Sequence, residues 1–440
     1  MAEAGATDRG DVGEFERFGR RRTLGGILRV TAAAALASSP VITGCGIVGP
    51  ERAQGTGALT LLSGPNALRI ASALTAAYGS HGQANNIVVQ VAEPSLSSIL
   101  QGTTRNVPSP SYDMVMVTPS VRPLGTLPTL FTNLANPLKG IPGHSQISPA
   151  LWSNASAEGR LLFAPMMGDP LVVFYNGDAL ERSGINAPVL EWSLQDFEAT
   201  CQQVANRLGP DIVPISDVTN SFNPELFTAF VVGFGGQVLS ANSQTALFAG
   251  SQALDGIQAL VSLHAFEPLR SSPSGITLFT SGKAVLYFGH LSDVANLATM
   301  IGDLFAWNAA PLPTFPVAGA VVPMQSSGIG IGVWTNRAGT ALDFLEYTVS
   351  PSGQQVIASV GPGVPALPAV AATWHPPSRH LLTASFLPPA SAQITVPWAL
   401  DQLPQVAAAL RAVVAGTSVA DAFQAAATEA NNTLLRLGIP

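Results

Sequence analysis

Three short runs early in the apolar part of the chain most constrain its fold: Ala58 to Leu62, Asn86 to Val91 and Tyr112 to Val117. Each is rich in β-branched or aliphatic residues, and helical patterns at 67–78 and 95–101 separate them. The third run is continuous and apolar enough to be buried on both faces. Strands alternating with helices predict βαβ units and a parallel sheet. In such sheets ligands bind beyond the carboxyl ends of the strands. Ser63, Gly64, Glu93, Thr118 and Ser120 occupy those positions.

The chain has 440 residues, more than one domain usually holds, so two are expected. Hydrophobic residues make up 47% and charged residues 11%. A chain this apolar buries enough surface to offset its ordering entropy, which excludes disorder. The net charge is −7, and lysine occurs only at Lys139 and Lys283. No basic stripe exists to neutralise a phosphate backbone, so nucleic acid is not an expected partner.

The first 57 residues read as an address and a tether. Arg20, Arg21 and Arg22 precede a weakly apolar, alanine-rich stretch from Val30 to Ile42, followed by Thr43-Gly44-Cys45. Positive charge, apolar segment and small residues, in that order, mark a secretory signal. The paired arginines resemble a twin-arginine signal, with general secretion as the other route. Ile42-Thr43-Gly44-Cys45 resembles a lipobox, which makes residues 1–44 a lipoprotein signal and Cys45 the lipidation site. Acyl chains on that cysteine would hold the protein at a membrane surface, since each buried methylene contributes about 0.8 kcal/mol. Residues 45–57 then form a flexible tether. Cys201 has no partner and falls in an amphipathic helix, where a buried inert thiol is expected. Beyond the N-terminal region no apolar run is long enough to span a bilayer.

Further along, 161–165 and 171–176 are β-rich runs separated by Pro and Gly, read as a strand crossing between lobes. Ser193 is placed to cap a helix reaching about Leu208. Helices are expected at 224–234, 251–265, 337–349, 352–360, 400–414 and 419–435. Ser281-Gly282-Lys283 reads as a turn between a helix and a strand, and 307–316 as an extended proline-rich segment.

Several patterns, in order, resemble the extracellular solute-binding proteins of ABC importers, in the branch that includes maltose-binding protein. Phe163-Ala164-Pro165 with Val173-Phe174-Tyr175-Asn176-Gly177-Asp178 carries the resemblance first. Ser183-Gly184-Ile185-Asn186-Ala187-Pro188, Trp192-Ser193-Leu194-Gln195-Asp196-Phe197 and Phe279-Thr280-Ser281-Gly282-Lys283-Ala284-Val285-Leu286 follow. Ala310-Pro311-Leu312-Pro313, Gly328-Ile329-Gly330-Ile331 and Gly361-Pro362-Gly363-Val364-Pro365-Ala366 complete it. The family's usual lysine is Gly177 here, and His290 stands near where an aromatic or proline is common. The resemblance implies an α/β, two-lobed periplasmic-binding-protein-like fold of type II, its discontinuous lobes joined by a hinge. The expected N-terminal lobe is 58–166 with 308–350, and the C-terminal lobe 167–307 with 351–440. Crossings are expected near 167–171, 305–309 and 350. The implied partners are a small solute and the permease subunits of an ABC importer.

No G-x-S-x-G elbow, H-E-x-x-H pair or P-loop occurs, so an enzyme is not expected. No cofactor is implied. His375 and His380 are the nearest histidine pair, and the proline-rich loop between them offers no helical metal face. A solute is then held by hydrogen bonds and stacking. The candidate ligand-binding residues are Ser63, Glu93, Thr118, Asp169, Tyr175, Tyr287, His290, Trp307 and Trp398, with core packing as the alternative for each aromatic. No Tyr-Tyr pair suits ferric ion and no local arginine cluster suits phosphate esters. A neutral carbohydrate or polyol remains. The rival expectation is a lipid-anchored sensor or scaffold with a degenerate cleft.

Overall fold

The computed structural model describes residues 58–80, 87–92, 99–100, 110–119, 127–189, 191–216, 218–219, 222–268, 274–374, 388 and 391–437. The signal, Cys45, the tether, Glu93, Ser120, His375 and His380 lie outside the described residues.

In chain order the strands are β1 (Leu59–Ser63), β2 (Ile87–Val91), β3 (Met114–Val117), β4 (Ser156–Ala157), β5 (Arg160–Leu161) and β6 (Ala164–Asn176). Then come β7 (Val213–Ile215), β8 (Ala284–His290), β9 (Trp307–Pro311), β10 (Val322–Ile331), β11 (Val364–Pro365) and β12 (Gln393–Ile394). The main sheet runs β2-β1-β3-β10-β6-β8-β7, with β9 and β11 also on β6 and β12 on β10. β1 pairs parallel with β2 and β3, and β7 with β8. β10 is antiparallel to both β3 and β6, and β6 is antiparallel to β8. The three early runs thus form the parallel sheet that their patterning predicts.

Two large cores flank this arrangement. In the first, Leu59, Leu61 and Leu62 of β1 and Met114–Val117 pack with Ile70 and Leu74 of the Leu68–Ser80 helix. Phe344 and Leu345 of the Ala338–Val349 helix close it. The second is rich in phenylalanine: Phe197, Phe227, Phe230, Phe248, Phe288, Phe315 and Phe423. It gathers the helices Leu194–Arg207, Pro224–Gly233, Ser251–Ser262, Pro404–Val414 and Val419–Leu437. Ser193 caps the first of these as expected: its hydroxyl accepts from Asp196 N, and the Asp196 carboxylate accepts from Ser193 N. Cys201 is buried and unpaired, and burial pushes its thiol far above the ordinary range, which leaves it unreactive.

β6 threads both cores. Ala164, Met166 and Met167 belong to the first, Leu171 and Val173 to the second, and Val172 and Phe174 to a smaller third cluster on the opposite face. A strand buried on both faces must read as a continuous apolar run, which accounts for Leu171-Val172-Val173-Phe174. The two runs separated in the sequence reading are one strand of 13 residues. The second passage is the entry into β10, with Val321, just before the strand, in the second core and Val322 in the first. Residues 308–321 therefore pack with the second and third clusters, and Ile357, Ala366, Leu367 and Val370 with the first core. The sequence reading had grouped these segments the other way. Their amphipathic patterns are alike on either side, so only strand pairing decides which sheet they cover.

Candidate functional site

The carboxyl ends of strands from both cores converge where β6 and β10 pass between them. Val117, the last residue of β3, pairs with Gly328 of β10. His290, the last of β8, pairs with Leu171 of β6. Between these points β10 and β6 pair from Met324↔Pro170 to Ser327↔Met167, and the register then shifts between Ser327 and Gly328. Such a bulge bends a strand locally. Gly328 is required there, because a Cβ would overlap the Ala164 carbonyl oxygen.

At this passage a pocket opens, lined by Val117, Thr118 and Pro119 after β3, Asn154 and Phe163, Gln325 and Ser326 of β10, and Trp398. None of these eight side chains is charged. Asn154 ends the Pro149–Asn154 helix, where Ser148 caps the first turn by accepting from Ala150 N. The Asn154 amide nitrogen donates to Ala150 O at 3.0 Å and to Met324 O at 2.5 Å, tying helix to strand. Trp398 Nε1 donates to Asn154 O at 3.0 Å. Trp398 packs against the first core, while the next residues, Ala399 and Leu400, belong to the second. Its indole therefore lies where the two cores meet. Asn154 Oδ1 and Ser326 Oγ are buried and have no hydrogen-bond partner among the described residues.

Beside Gln325 at the crossing lies a charged group. Asp169 pairs with Gln325, and directly opposite residues share a face. Asp169 Oδ1 accepts from Ser292 N at 2.9 Å, and Asp293 Oδ2 accepts from His290 N at 3.1 Å and from Tyr287 OH at 3.3 Å. Gln325 Nε2 donates to the buried Glu225 at 2.7 Å. Burial holds the Asp169 carboxyl above its ordinary range, with His290 and the Ser292 hydrogen bonds pulling partly the other way and Asp293 adding to the rise. The loop after β7 is pinned by the buried Glu267. Its carboxylate accepts from Val218 N, from Thr219 N and Thr219 Oγ1 at 2.6 Å each, and contacts His264 Nδ1 at 2.9 Å.

The crossing thus gathers Thr118, Asp169, His290 and Trp398 of the sequence-derived candidates, with Tyr287 at its edge. Ser63 ends β1, fully buried, with its hydroxyl bonded to Gly64 O. Tyr175 and Trp307 lie elsewhere: Tyr175 pairs with Asn308, and Trp307 with Asn176. That is roughly 20 Å along β6 from Asp169 at 3.3 Å per residue. Trp307 is 3% exposed and packs edge-on against Phe174, so it serves the third cluster. Burial raises the Tyr175 hydroxyl pKa. Asn154, Phe163, Gln325 and Ser326 were not singled out from sequence. The polar Gln325-Ser326-Ser327 inside an otherwise apolar strand is the signal that points to Gln325 and Ser326.

A family model for bacterial extracellular solute-binding proteins matches residues 73–379. The chain belongs to that family. No curated protein matches this solute-binding protein in sequence. Among solved structures it resembles the sugar-binding protein MalE from Xanthomonas citri, at 16% identity and TM-score 0.69, over 86% of this chain and 98% of that one. The cyclic alpha-maltosyl-1,6-maltose binding protein from Arthrobacter globiformis gives 18% and 0.67, over 87% and 100%. UgpB from Mycobacterium tuberculosis, in complex with glycerophosphocholine, gives 16% and 0.66, over 87% and 99%. At these identities the likeness shows the fold: this solute-binding protein has the mixed α/β architecture of the two-lobed binding proteins.

Proposed function

We propose that this solute-binding protein is the extracytoplasmic receptor of an ABC importer. It takes a neutral carbohydrate or polyol between two lobes built on the two large cores, and delivers it to the permease subunits. One observation carries the reading. Uncharged hydrogen-bonding groups and an indole converge at the passage of β6 and β10, where carboxyl ends of strands from both cores meet. The bulge at Ser327/Gly328 supports that passage as the hinge. Thr118, Asp169, His290 and Trp398 are the ligand-facing candidates. Resemblance to solved sugar-binding proteins supports the ligand class. The order of arginines, apolar stretch and Cys45 supports export and a lipid anchor.

Calorimetry of the purified protein against neutral mono- and oligosaccharides, polyols and phosphate esters tests the ligand class. Binding within the neutral set is expected, and silence across it overturns the carbohydrate reading. Labelling cells with a fatty-acid probe tests the anchor: label is expected on the native chain and absent from Cys45→Ala. A second reading, a sensor or scaffold with a closed cleft, draws on the Trp398 indole already lodged at the passage. It predicts silence in the same calorimetry.

A further inference from the structure

The pocket under Trp398 holds two buried polar atoms whose hydrogen-bonding capacity is unused. Asn154 is 3% exposed and Ser326 8%. The Asn154 amide nitrogen is committed to two carbonyls, Ala150 O and Met324 O. Flipping the amide would set its oxygen against both, so the orientation is fixed by its surroundings. Asn154 Oδ1 is left as an acceptor with nothing to accept from, and Ser326 Oγ is likewise without a partner among the described residues. Met324 and Ser326 are two apart on β10 and so share a face. A Cβ on Gly168 would meet both the Met324 side chain and Leu151 of the Pro149–Asn154 helix, so the serine hydroxyl emerges on the side of the strand that this helix covers. Buried polar atoms are nearly always satisfied, so two in one pocket call for a missing partner.

We propose that Asn154 and Ser326 form a hydroxyl-reading subsite beneath the Trp398 indole. One hydroxyl of a neutral sugar or polyol donates to Asn154 Oδ1 and accepts from Ser326 Oγ. The proposal rests on the carbohydrate reading above and narrows it. A hydroxyl carries one donor and acceptor lone pairs, the complement of this pair. A carboxylate or phosphate brings no hydrogen for Asn154 Oδ1, and no charged lining side chain offsets its desolvation. The Trp398 ring, fixed by its bond to Asn154 O, supplies an apolar surface for the C–H face of the same ring.

The test takes the tightest neutral sugar from the panel, its monodeoxy series and the corresponding O-phosphorylated sugars, and titrates each into the full-length protein and into Ser326→Ala. One deoxy position is expected to lose about 20- to 100-fold in affinity on the native protein, as for two neutral hydrogen bonds, and only about five- to tenfold on Ser326→Ala, where the bond to Asn154 Oδ1 remains. Phosphorylation at that same position should weaken binding at least as much. An unchanged melting temperature certifies that the variant is folded. If Ser326→Ala binds every compound as the native protein does, the subsite is overturned while the carbohydrate reading stands. If the phosphorylated sugar binds more tightly, the subsite is likewise overturned. A crystal structure of the complex in which a water still bridges Asn154 Oδ1 and Ser326 Oγ also overturns it. Silence across the neutral panel removes the carbohydrate reading and the subsite together.

Discussion

Two buried polar neighbourhoods of the molecule differ in one respect. Around Glu267 every carboxylate oxygen is taken by donors from Val218, Thr219 and His264. Under Trp398, Asn154 Oδ1 and Ser326 Oγ are left over. The first is a closed account: it holds a loop and has nothing further to offer. The second is open, and an open buried group is tolerated where something else completes it. Satisfaction thus separates a structural polar cluster from a binding one more sharply than residue type does, since Glu267 carries the charge and Asn154 and Ser326 do not.

The largest expected effect tests the closed side. Glu267→Ala strands buried donors at Val218 and Thr219 and should cost about 3 kcal/mol of stability, read by chemical denaturation. A cost below about 1 kcal/mol would mean water satisfies the loop and would break the contrast. Next, Gly328→Ala should cost about 2 kcal/mol, because the added Cβ meets the Ala164 carbonyl oxygen and forces the two crossing strands apart. Native-like melting would show that the passage yields easily.

Asp169 sharpens the comparison through pH. Its carboxyl is raised in the folded protein, chiefly by burial. A raised carboxyl contributes stability that is fully present below the unfolded-chain value of about 3.9 and is lost as pH rises through the folded value. Asp169→Asn keeps an acceptor for Ser292 N and removes the charge. The variant should therefore gain on the native protein as pH rises from 4 to 7, by less than about 1 kcal/mol at this partly exposed site. A native protein that gains on the variant over that range would reverse the assignment. The smallest effect belongs to the open side. Ser326→Ala, without ligand, should be neutral or more stable by roughly 0.5 kcal/mol, because a buried hydroxyl with no partner is a cost. Marked destabilisation would show that the hydroxyl is already satisfied.

Much of the fold was legible in sequence because strand and helix periods differ. The runs around Leu59–Leu62, Ile87–Val91 and Met114–Val117 became parallel strands, and Ser193 with Asp196 announced its helix. The assignment of 308–321 and 351–370 to a core was not legible, because an amphipathic helix states that it packs but not against which sheet. The site was half legible. Carboxyl ends of strands pointed to Thr118, and the Pro-Gly interruption pointed to Asp169. Tyr175 and Trp307 show the limit: an aromatic near a strand end looks alike whether it meets solvent, the second core, as Tyr175 does, or the Phe174 cluster, as Trp307 does. Asn154 escaped notice because what sets it apart is an amide tied to Met324, 170 residues away.

The interleaving of the two cores also dictates when each can form as the chain is made. β3 pairs early with β1, but its other edge is covered only when β10 exists, and the Trp334 indole that donates to Tyr112 O lies 222 residues later. Until then the early strands have an unpaired edge and half a hydrophobic cover. Neither half is a contiguous stretch that a ribosome could release ready-folded, so assembly waits for nearly the whole polypeptide and proceeds slowly, as long-range pairing demands.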